Sequence, residues 1–153
     1  MADNPVKWSE YAANKTAIFA VAELKNIATT AGAITATRIE NTAGDQYADL
    51  ELLIDLATAA TAGGYIELWF IKAVNGTNYE SGSATVFPAR PADVIIPVRA
   101  TTDDSQVVAV GPIRWPQGLF MVVFRNSTGQ TTTNTNSLTQ VSYRPYNDNL
   151  VTA

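Results

Sequence analysis

Cysteine and histidine are both missing from this chain of 153 residues. Without cysteine there can be no disulfide and no thiolate metal site, so stability must come from packing and sheet hydrogen bonds. Without histidine, the usual general base near neutral pH, the usual activator of a nucleophile and the commonest metal ligand are all gone. Any catalysis would have to rest on carboxylates, lysine or tyrosine. Charge is scarce as well: Asp, Glu, Lys and Arg make up 16% of the chain, against roughly 25% in ordinary soluble domains. The net charge is −4, and the ten basic residues are scattered singly from Lys7 to Arg144. Binding to a nucleic-acid backbone needs clustered Lys and Arg, so no nucleic-acid partner is expected. Long apolar runs are lacking too. The stretch Ala17 to Ala22 is far too short to cross a bilayer, and the start Met1 to Trp8 has no basic region followed by an apolar one. The expectation is a soluble protein, made in a cytoplasm, with no membrane partner.

What the chain does contain is alternation with period two, the mark of half-buried strands. It is clearest over Tyr47–Leu56, where Leu50, Leu52, Ile54 and Leu56 fall on one face and Asp49, Glu51, Leu53 and Asp55 on the other. After the turn signal Ala62-Gly-Gly64 comes Tyr65–Lys72, with Ile66, Leu68 and Phe70 on one face and Tyr65, Glu67, Trp69 and Ile71 on the other. A short loop separates these two strands, so they are expected to pair antiparallel. The second carries large residues on both faces, which implies a cover from another segment or from a partner. Further strands are expected near Ile34–Glu40, Val94–Ala100, Gln106–Val110, Leu119–Arg125 and Leu138–Arg144, with a weaker signal at Ala22–Ile27. Pro97 marks the Val94 strand as an edge.

Turn chemistry punctuates these strands at Asn75-Gly76 and at Pro116-Gln-Gly118. A long irregular connection runs from about Asn75 to Asp93, and such loops are functional or embellishments. The Thr/Asn-rich run from Ser127 to Ser137 has no apolar anchor and reads as a mobile hairpin loop. Short helices over Lys15–Ile27 or Leu56–Ala62 remain alternatives that leave the class unchanged. The expected fold is all-β: a jelly-roll-like antiparallel β-sandwich of about eight strands over residues 17–147, with an extended N-terminal arm (1–16) and a short C-terminal tail (148–153).

Paired carboxylates are the one catalytic option. Asp49, Glu51 and Asp55 share a strand face and Glu67 could lie opposite, as a glycosidase would require; the alternative is the wet face of a strand. Asp103-Asp104 could hold calcium or simply make a turn. The three tryptophans and several tyrosines could form a sugar-stacking platform, but aromatics inside a strand pattern more often pack in a core or an interface. Sequons at Asn14, Asn75 and Asn126 would matter only in a secreted eukaryotic protein. No catalytic residue, metal or cofactor is expected, and no enzyme. Partner contact is expected at Val6, Trp8 and Tyr11 in the arm and at Tyr65, Trp69 and Ile71 on the outer face of the second strand.

Several segments carry a resemblance: Tyr47-Ala-Asp-Leu-Glu-Leu52, Ile66-Glu-Leu-Trp-Phe70 leading to Asn75–Tyr79, Pro116-Gln-Gly-Leu-Phe120, Val123-Phe-Arg-Asn-Ser-Thr-Gly129 and Tyr143-Arg-Pro-Tyr-Asn147. Over roughly residues 45 to 150 the chain resembles the capsid decoration, or cement, proteins of tailed phages. The resemblance implies a sandwich on the outer surface of an icosahedral capsid, in a virion assembled inside a bacterial host. It would bridge neighbouring subunits of the major capsid protein, often as a dimer or trimer. The alternative expectation is a receptor- or glycan-binding sandwich of a phage tail.

Overall fold

The computed structural model describes residues 15–20, 22–73, 79–101, 105–133 and 139–147. Among these residues there is no helix, and nine strands form two antiparallel sheets. They are β1 (Thr16–Ala17), β2 (Gly32–Ile34), β3 (Ile39–Asn41), β4 (Tyr47–Asp55), β5 (Tyr65–Lys72), β6 (Val94–Pro97), β7 (Ser105–Arg114), β8 (Gly118–Ser127) and β9 (Gln140–Tyr146). One sheet has the order β1-β9-β4-β7, the other β2-β8-β5-β6, with β3 also on β8.

β2 and β3 lie along the same strand, at Val123–Arg125 and Gly118–Phe120 of β8. They are the two ends of the strand expected at Ile34–Glu40, interrupted where Thr35 turns its hydroxyl to the Val122 amide. Counted as one, they bring the number of strands to eight, and the pairings nest: first with eighth, second with seventh, third with sixth, fourth with fifth. That nesting is compatible with a jelly roll.

Alternation does its expected work. Leu50, Leu52 and Ile54 of β4 and Ile66, Leu68 and Phe70 of β5 are buried, and they meet Phe120, Val122 and Phe124 of β8 and Val141 of β9 in one core. Such cores gain about 25 cal/mol for each Å² of apolar surface removed from water. Pro97 does sit on an edge strand, since β6 pairs only with β5.

Other expectations are corrected. β4 and β5 do not pair with each other: β4 lies between β7 and β9, and β5 between β6 and β8. The link from Ala57 to Gly64 crosses between the sheets, tied to the segment that follows β8 by Ala57 N–H to Thr131 O and Thr61 N–H to Thr128 O, both at 2.9 Å. Ala22–Ile27 is a run of turns with Asn26 at φ 53°, not a strand. The first part of the Ser127–Ser137 run is anchored without apolar residues: Thr128 and Thr132 are buried, and the Thr132 hydroxyl donates to Leu24 O at 2.7 Å and accepts from the Ile27 amide at 2.8 Å.

Candidate functional site

The six residues expected to contact partners have different fates. Val6, Trp8 and Tyr11 lie outside the described residues, as do Asp103-Asp104 and the 148–153 tail. Trp69 and Ile71 are only 3% and 1% exposed. Their cover is the chain's own β5–β6 connection, which folds back so that Tyr79, Phe87 and Ala92 pack on Trp69, Ile71 and Val123. Phe87 stacks on the Trp69 ring at 5.6 Å, and the indole N–H donates to Arg90 O at 3.0 Å. The two-faced apolar pattern of β5 is thus satisfied within the chain, and these two side chains are not presented to a partner. Tyr65 is the exception, at 37% exposed.

Tyr65 has neighbours that the sequence reading did not single out. The register sets it opposite Pro97, and Glu67 opposite Ile95, on the outer face of the same sheet. Ile95 is 57% exposed. On the other sheet, β7 is also an edge strand, and its Val107 is 61% exposed. The β6–β7 margin of the sandwich therefore presents two strand edges, with Tyr65 and Ile95 on one side and Val107 on the other. An isoleucine and a valine at outward positions of edge strands are costly to leave in water, but that these positions face outward at an edge follows from the sheet order.

The carboxylates expected to cooperate are separated. Glu51 pairs with Lys15 on the outer face of one sheet, while Glu67 accepts from Arg125 and from the Ser127 hydroxyl on the outer face of the other. Asp55 accepts a hydrogen bond from Thr133. No group of three or more carboxylates among the described residues could hold a metal ion. Among the described residues the tryptophans form no sugar-stacking platform, since Trp115, like Trp69, is buried.

At the end of the margin where β6 begins and β7 ends lies a cleft of about 1060 Å³. Its lining includes Gln46, Lys72, Glu80, Arg90, Asp93, Arg114 and Gln117 over a floor formed by Phe70 and Trp115. Arg90 organises one wall. Its Nε and Nη2 reach both oxygens of Glu80 at 2.9–3.1 Å, Nη1 donates to Asp93 at 2.8 Å, and Nη2 also donates to Phe70 O at 3.0 Å. The hydrogen bonds to Glu80 hold the Arg90 guanidinium above its ordinary pKa, with desolvation opposing and Asp93 assisting.

Behind the cleft, Tyr143 stacks on Trp115 at 4.5 Å. Burial pushes its phenol above the ordinary value of 10.0; Asp45 adds to the shift and a hydrogen bond with Thr16 opposes it. A raised folded value means that the neutral phenol is favoured more in the folded chain than in the unfolded one. Its contribution to stability is complete below pH 10.0 and is lost as pH rises through the folded value. Thermal melts from pH 8 upward should therefore show the midpoint falling beyond that point, and Tyr143→Phe should flatten part of the fall. An unchanged alkaline profile in the variant would clear Tyr143 of the effect.

Comparison with known proteins finds no matching family model, no matching curated protein and no matching solved structure.

Proposed function

We propose that the protein is a structural, non-catalytic component of a virion, which binds the outside of an icosahedral phage capsid and cements neighbouring major capsid protein subunits. The observation that carries this reading is the β6–β7 margin: two strand edges flanked by exposed Tyr65, Ile95 and Val107. Strand edges and outward apolar side chains are what a protein partner can cover. The resemblance to decoration proteins supports the same reading. Its segments fall on β4, β5, β8 and β9, the inner strands of both sheets, and so it speaks for the framework rather than for the contact surface.

The mechanism is multivalent burial. Each copy contributes a modest interface, and many copies on one shell act together. The anchors are Val6, Trp8 and Tyr11 in the segment before Lys15; the arm expected over 1–16 ends sooner than that, since Lys15 pairs with Glu51 and Thr16 lies opposite Tyr143 in the sandwich. Ordering an arm costs roughly 1–2 kcal/mol per residue, which a tryptophan burying about 200 Å² offsets by several kcal/mol. Self-association as a dimer or trimer would match the local symmetry axes of a shell.

The test is co-sedimentation of the purified protein with capsids of the phage that encodes it, with copies per particle counted. Saturation at a number set by the capsid lattice is expected. The double variant Ile95→Glu, Val107→Glu should lower occupancy while leaving the melt within about 1 kcal/mol of the parent, because both side chains are exposed. Removing residues 1–12 should likewise weaken binding and leave the sandwich folded. If the parent protein stays in the supernatant at every concentration, the reading is wrong.

A further inference from the structure

The cleft at the end of the β6–β7 margin holds three cations and two carboxylates: Lys72, Arg90 and Arg114 against Glu80 and Asp93. Arg90 is committed to Glu80, Asp93 and the Phe70 carbonyl. Lys72 and Arg114 are exposed, and among the described residues neither has an ion pair or a hydrogen-bonding partner for its side chain. Two uncommitted cations thus face one space, in a chain whose net charge is −4. Gln46 contributes a side-chain amide with no partner among the described residues. Gln117 donates its amide N–H to Asp45 O at 2.6 Å, which leaves its carbonyl oxygen to accept.

We propose that this cleft is a binding site for a carboxylate-bearing saccharide, a uronate of a few rings. The carboxylate lies between Lys72 and Arg114, and the hydroxyls exchange hydrogen bonds with Gln46, Gln117 and the Glu80–Asp93 wall. The volume of about 1060 Å³ is of the size that takes an oligosaccharide rather than a single small ion. The chemistry of the lining narrows the ligand further. Glu80 and Asp93 oppose any anion, a compact phosphate dianion more than the single carboxylate of a uronate, whose hydroxyls can also donate to carboxylate oxygens that retain lone pairs. A protein loop would want an apolar anchor pocket, but the aromatic floor, Phe70 and Trp115, is itself buried at 5% and 3% exposed. Hydroxyl-rich, singly charged rings match a lining that carries both donors and acceptors. This site does not rest on the capsid reading, and either can fail without the other.

The full-length protein is titrated calorimetrically with trigalacturonate, a neutral galactose trisaccharide, inorganic phosphate and a short polyglutamate peptide. Trigalacturonate is expected to bind, with an affinity that falls as salt rises. Arg114→Gln and Lys72→Gln should each weaken it about ten-fold, the usual loss of a charge-assisted hydrogen bond, without moving the thermal midpoint. Nuclear magnetic resonance shifts should concentrate at Gln46, Gln117 and the Trp115 indole. The proposal is overturned if trigalacturonate fails to bind at millimolar concentration, if the neutral trisaccharide binds equally well, or if Arg114→Gln has no effect. It is equally overturned if phosphate binds as tightly, which would make this a general anion site, or if polyglutamate does, which would assign the cleft to an acidic protein segment.

Discussion

Replacing Trp115 with alanine is expected to remove about 3–5 kcal/mol of stability, the usual loss for a buried aromatic, and to lower the thermal midpoint by roughly 6–20 °C at about 2–4 °C per kcal/mol for a chain of this size. The reason is its position between the sheets. Its ring stacks on Tyr143 of β9 at 4.5 Å, and it makes edge contacts with Phe70 of β5 at 5.4 Å and Phe120 of β8 at 5.1 Å. One side chain therefore ties an inner strand of one sheet to two strands of the other. Its amide N–H, donated to Gln46 O at 2.9 Å, fixes the turn between β7 and β8 against the start of β4. Trp115→Phe keeps one ring in the stack and should lose about half as much. Denaturant titration of both variants measures the difference. A loss below about 1 kcal/mol for the alanine variant would mean that the neighbouring rings close the cavity, and that Trp115 does not join the sheets.

Trp115 also shows what the sequence made legible and what it did not. Alternation identified the inward residues of β4 and β5 correctly, because a period of two determines which side chains share a face. It carries no information about which strand pairs with which. The short link after β4 suggested a hairpin, yet the same length of chain crosses from one sheet to the other, and only the nested pairing shows it. The cover over Trp69 and Ile71 had a partial signal, the apolar character of both faces of β5. What supplied the cover was hidden, because Tyr79 and Phe87 are isolated aromatics in a proline-bearing connection without periodicity. The charged cleft left no sequence signal, since its lining comes from separate segments around Gln46, Lys72, Arg90, Asp93 and Arg114. Of the exposed margin, Tyr65 was read and Ile95 and Val107 were not: each looked like an ordinary strand residue, and exposure follows only from the sheet order.

The run after β8 was misread for a different reason, and it yields the second large effect. A segment without apolar residues looks unanchored, but polar groups can anchor a chain when every one of them is satisfied. Asn126 does this here. It is fully buried. Its side-chain N–H groups donate to Ile27 O at 2.8 Å and Gln130 O at 2.6 Å, and its side-chain oxygen accepts from the Thr128 amide at 3.0 Å and hydroxyl at 2.7 Å. Its backbone accepts from Thr30 N–H at 2.6 Å and donates to Ala31 O at 2.9 Å. The turn closes at Gly129, whose φ of 80° suits glycine and where a Cβ would collide with Thr61. The Asn126-Ser-Thr-Gly129 segment is thus a structural clasp, and an asparagine enclosed in this way is no acceptor for a glycan. Asn126→Asp exchanges two donors for a carboxylate facing two carbonyl oxygens. At neutral pH it should cost about 3–5 kcal/mol, a large share of the roughly 5–15 kcal/mol that holds a domain together. Burial must raise the pKa of that new carboxyl, so its neutral form is favoured in the folded chain, and the penalty should grow as pH rises above about 4. Asn126→Ala should cost about 2–4 kcal/mol with no such pH dependence. Denaturation of the two variants at pH 4 and pH 7 separates the charge from the lost hydrogen bonds. An Asn126→Asp protein as stable as its parent at pH 7 would mean that the clasp is not what anchors this segment.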